Sequence, residues 1–91
     1  MAENKQEIQI SFPDDLKGGV YANNMLVAHS KEEFIVDFLM VAPPTGAVTS
    51  RVILSPGHMK RVLAALEESV AKYENMHGTI EEAEAPQANI H

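Results

Sequence analysis

The chain has no cysteine and no tryptophan, only 5% aromatic residues, and no apolar run approaching membrane length. The missing cysteines exclude disulfides, thiolate nucleophiles and Cys-based zinc sites, and they fit a reducing compartment. The longest apolar stretch runs only from Phe38 to Pro44, and the opening "MAENKQEIQI" has no apolar core of the kind a secretion signal carries. The expectation is a soluble cytoplasmic protein with no membrane partner. Basic charge is also scarce. Seven Lys/Arg stand against thirteen Asp/Glu for a net charge of −6, and residues 6–78 alone keep −3. Generic binding to a phosphate backbone relies on Lys/Arg to displace counterions, so this balance disfavours nucleic acid as a partner.

What is present is one small domain's worth of alternating and helical patterns. Ninety-one residues are too few for two cores. Residues 1–6 are polar and read as a disordered N-terminus. In "EIQISF", Ile8, Ile10 and Phe12 alternate with polar residues, which predicts a first strand ended by Pro13. "DDLKGG" supplies a turn, and the apolar run from Val20 to Ala28 predicts a second strand, interrupted by Asn23 and Asn24.

Residues 30–41 admit two readings. Ser30 and Glu33 have capping-box spacing, which would open a helix. The aromatic and β-branched content of "FIVDF", and its end at Pro43-Pro44, favour instead a turn over 29–33 and a third strand from Phe34 to Val41. "PPTG" is a turn, and "AVTSRVIL" a fourth strand. The clearest signal is "SPGHMKRVLAALEESVAKYENMHG". Ser55 is an N-cap, Pro56 occupies the first helical position, and Gly78 supplies the stop. Met59, Val62, Leu63, Leu66, Val70 and Tyr73 form one apolar stripe. The acidic, proline-containing segment 79–91 reads as a disordered tail.

The sum is an α+β fold: a four-stranded, largely antiparallel sheet followed by one long C-terminal helix (ββββα), in a single domain over residues 7–78. One helix covers one sheet face, yet both faces read as apolar. Phe34, Val36, Phe38 and Met40 point one way, while Ile35, Leu39 and Val41 accompany Asp37 on the other. A second layer is therefore expected, most simply from another copy in a homodimer.

Polar residues inside these runs are the candidate site residues. Asn23 and Asn24 suit an irregular or edge strand as well as a ligand site. The four histidines (His29, His58, His77, His91) lack zinc-helix spacing, so no metal is expected, and no motif calls for a cofactor. His77 suits the negative end of the helix dipole. Asp37 is costly to bury alone, and one simple hairpin register sets Arg51 opposite it as a structural ion pair. Ser55, Gly57, Lys60 and Arg61 at the helix start hold the ingredients of a candidate anion site, without a glycine-rich phosphate loop. No general base has an acid or nucleophile beside it, so no catalytic residue is nominated.

The pieces "GGVYAN", "HSKEEFIVDF" and "RVILSPGH", taken together over roughly residues 7–78, resemble a family of short prokaryotic proteins catalogued as a domain of unknown function. That resemblance implies Tyr21, Ala22, Asn23, His29, Ser30, Glu33, Phe34, Asp37, Phe38, Arg51, Ser55, Pro56 and His58 as signature positions, and implies no activity. The element order is also similar to the export chaperone fold, a likeness of topology alone. The leading expectation is a non-enzymatic, oligomeric module that binds another protein or peptide through a sheet edge or apolar groove, where methionines such as Met25, Met40, Met59 and Met76 adapt to varied surfaces. Two rivals are a nucleic-acid-associated regulator using Arg51, Lys60 and Arg61, and a small-ligand enzyme built on Asp37 and His29.

Overall fold

A computed structural model describes residues 6–84. A short 3-10 turn, Asp14–Leu16, is followed by strands β1 (Asn24–His29), β2 (Phe34–Ala42) and β3 (Thr45–Leu54), then helix α1 (Pro56–His77). The strands form one antiparallel meander in the order β1-β2-β3. Residues 1–5 of the expected N-terminal segment, and 85–91 of the expected tail, lie outside the described residues.

The sheet has three strands where four were expected. Residues 7–12 keep their alternating pattern but pair with nothing, and Ile8 and Ile10 are 80% and 88% exposed. A strand needs a neighbouring edge to satisfy its backbone, and no edge of this chain takes up the segment. The expected second strand is also shorter. Its first part, Val20 to Asn23, is irregular and follows Gly19, which adopts a φ of 67° and donates its N–H to the Leu16 carbonyl.

The turn between β1 and β2 resolves the helix-or-strand ambiguity. The Ser30 hydroxyl accepts hydrogen bonds from the N–H groups of Glu32 and Glu33, at 3.2 and 3.3 Å, and the Ser30 N–H donates to the Glu33 carbonyl. Capping-box spacing here closes a tight turn, after which the β-branched run extends as β2. Between β2 and β3 the turn is Pro43-Pro44, and the Thr45 hydroxyl donates to the Ala42 carbonyl. Thr49 is the extra residue of a bulge, because Phe38 pairs with Ser50 while Leu39 pairs with Val48. Its hydroxyl donates to the Phe38 carbonyl at 3.1 Å.

The helix begins and ends as its punctuation requires. The Ser55 side chain accepts from the His58 N–H at 3.2 Å, and Gly78, at a φ of 93°, donates back to the Glu74 carbonyl. Glu68 and Lys72 form an exposed i, i+4 pair at 3.0 Å. Packing is where the chain is thin. Val36, Leu39 and Val41, all on the central strand, are the buried side chains of the described residues. No helix residue is buried, and past its first turns the helix does not pack on the sheet.

Candidate functional site

The register sorts the polar candidates onto separate surfaces. On one face, Asp37 and Arg51 are direct cross-strand partners. The Arg51 guanidinium donates from Nε to Asp37 Oδ1 at 2.7 Å and from Nη2 to Oδ2 at 2.9 Å, a two-pronged geometry that matches fork to carboxylate. Hydrogen bonding from Arg51 holds the Asp37 carboxyl below its ordinary range against partial desolvation, and the arginine's charge adds to the effect. The Asp37 side chain is 14% exposed and that of Arg51 60%, so water screens the outer half of the pair. Leu26 and Ile53 flank it on the neighbouring strands.

His29 belongs to the opposite face. It pairs with Phe34, their ring centroids 5.4 Å apart, and it lies three residues from Leu26, the partner of Asp37. Alternation along β1 therefore sends His29 and Asp37 to opposite sides of the sheet, and they build no common site. Among the described residues no group of three or more His, Asp or Glu could hold a metal ion.

The two asparagines separate cleanly. Asn23 Oδ1 accepts from the Val41 N–H at 2.8 Å, and Nδ2 donates to the Val41 carbonyl at 2.9 Å. Its own N–H donates to the Leu39 carbonyl at 2.9 Å. The carboxamide thus takes the place of the next peptide group and extends the β1–β2 ladder by one rung after the β1 backbone has turned away. Asn24 makes only a local bond, accepting from the Met25 N–H. The role of Asn23 as a peptide surrogate was not legible from its neighbours. A pattern signal exists only in an amide residue at a strand start, facing the far end of a longer strand.

At the helix start the Ser55 hydroxyl already accepts one of the free amides. Lys60 lies along a groove with Phe34, Pro56, Met59 and Leu63, an apolar setting unlike an anion cradle. Arg51 is engaged by Asp37, so it is not a free third cation for a patch with Lys60 and Arg61.

The largest feature is apolar. The face bearing Phe34 also carries Met25, Val27, Phe38, Met40 and Val52, five side chains exposed by 38% to 48%, and none of these six is charged. Along the helix Leu63, Leu66, Val70, Tyr73 and Met76 are 48% to 77% exposed. No described helix is long and apolar enough to cross a membrane.

A family model described as a protein of unknown function (DUF3467) matches residues 1–82. No curated protein and no solved structure matches the chain.

Proposed function

Because the chain belongs to the DUF3467 family, whose description assigns no activity, we propose a function from its own surfaces: a non-enzymatic, homo-oligomeric module for protein or peptide interaction. One observation carries this reading. The protomer buries three side chains and exposes twenty large apolar ones among the described residues. A second copy is the simplest cover, since it is present at equal concentration whenever the first is made. The outer edges of β1 and β3 are then available for an extended peptide, whose main chain would add a strand. The absence of cysteine supports a cytoplasmic setting.

Light scattering coupled to size exclusion, on the full chain at micromolar concentration, tests the reading. A dimer or larger species is expected. A monomer with native circular dichroism overturns it.

A further inference from the structure

We propose that the helix of each protomer lies along the apolar sheet face of a second copy, the face that carries Phe34 and Phe38, so that two chains exchange helices reciprocally. The inference rests on the homo-oligomeric reading above and names its interface. The chain holds two complementary halves of a packed layer without joining them. The sheet face of Met25, Val27, Phe38, Met40 and Val52 is met by its own helix only beside Phe34, and the helical stripe of Leu66, Val70, Tyr73 and Met76 lacks a floor.

Their dimensions agree. Twenty-two helical residues span about 33 Å, and the ten residues of β3 span about the same. The joint works against self-coverage. Ser55 alone links β3 to α1, where strand-to-helix connections that fold back use about two to six residues. Its side chain is engaged as the cap, and Pro56 restricts its backbone to the extended conformation seen, φ −69° and ψ 154°. The helix starts beside Phe34, on the side of this same face, and then runs clear of its own sheet.

The other face is the weaker floor. It carries the Asp37–Arg51 pair between its central and outer strands, a charged pair that a covering helix would have to desolvate. A two-fold exchange would use each surface once per chain, doubling the contact without leaving an open end that could propagate.

The cysteine-free background allows a direct test. Full-length Val70→Cys (helix) and Met40→Cys (sheet) proteins are unfolded, mixed, refolded together and treated with a short bismaleimide. Both positions are exposed in the protomer, at 48% and 39%. A Leu66→Cys and Met25→Cys mixture repeats the measurement should either first variant fold poorly. The expected result is a covalent dimer joining one helix cysteine to one sheet cysteine, at least five-fold over either like-with-like product by mass spectrometry. A dimer that yields only helix–helix or sheet–sheet links overturns the exchange while leaving the homo-oligomer intact. Preferential linking of an Ile10→Cys variant to Met40→Cys would give the face to the N-terminal segment and overturn it equally. A chain that is monomeric throughout fails both readings.

Discussion

Replacing Asn23 with alanine should cost far more than the same change one residue later. Asn23 gives up two hydrogen bonds to Val41, each contributing about 1 kcal/mol net, and it strands an N–H and a carbonyl on a residue only 8% exposed. The loss is about 2–3 kcal/mol, or a fall in Tm of roughly 8–24 °C for a domain of this size. Asn24→Ala removes a single exposed local bond and should stay within about 0.5 kcal/mol. Thermal unfolding followed by circular dichroism reads both, at one fixed protein concentration because any association would shift Tm. Asn23→Asp sharpens the comparison. At neutral pH it keeps the acceptor for the Val41 N–H but turns a carboxylate toward the Val41 carbonyl, so it should be at least as damaging as alanine. Below about pH 4 the protonated acid can donate again, and part of the loss should return. If Asn23→Ala and Asn24→Ala unfold within 0.5 kcal/mol of each other, the peptide-surrogate account is wrong.

Two further outcomes follow from the same geometry. The carboxyl of Asp37 is depressed in the folded state, so its contribution is present above its unfolded value near 3.8 and is lost as pH falls through the folded value. Asp37→Asn should therefore be less stable than the parent at neutral pH, with the gap closing below about pH 4 and narrowing in high salt, as measured by urea unfolding across pH. Ser55→Ala removes the acceptor for the His58 N–H and should lower stability by about 1 kcal/mol, with Ser55→Asp restoring it.

The parts of the fold that could be read from the sequence are those fixed by local chemistry. The helix is bracketed by Ser55-Pro56 and Gly78, whose preferences are set within a turn of their own position. The same is true of Pro43-Pro44 and of the Ser30 turn. Residues 7–12 show the limit. Alternation makes Ile8, Ile10 and Phe12 suited to a strand, but whether a strand forms depends on an edge elsewhere. The helix stripe poses the same problem one level up, since periodicity says that Leu66 and Val70 need covering and cannot say by which chain. Asp37 and Arg51 could be set opposite each other by counting outward from the Pro-Pro turn to one of two registers. Asn23 could not be placed, because its partner lies eighteen positions away and bonds through backbone atoms, which leave no trace in residue identity.

The joint at Ser55 also makes the helix a long pointer on a stiff pivot. A change of about 10° there swings the far end of a helix of roughly 33 Å sideways by about 6 Å. Pro56 narrows that swing by denying Ser55 the helical region, so the aim of residues 63–76 is set before anything meets them. Neither residue at the pivot is buried, yet together they decide where five apolar side chains are delivered. Loosening them would change the geometry of delivery while leaving both the sheet and the helix intact.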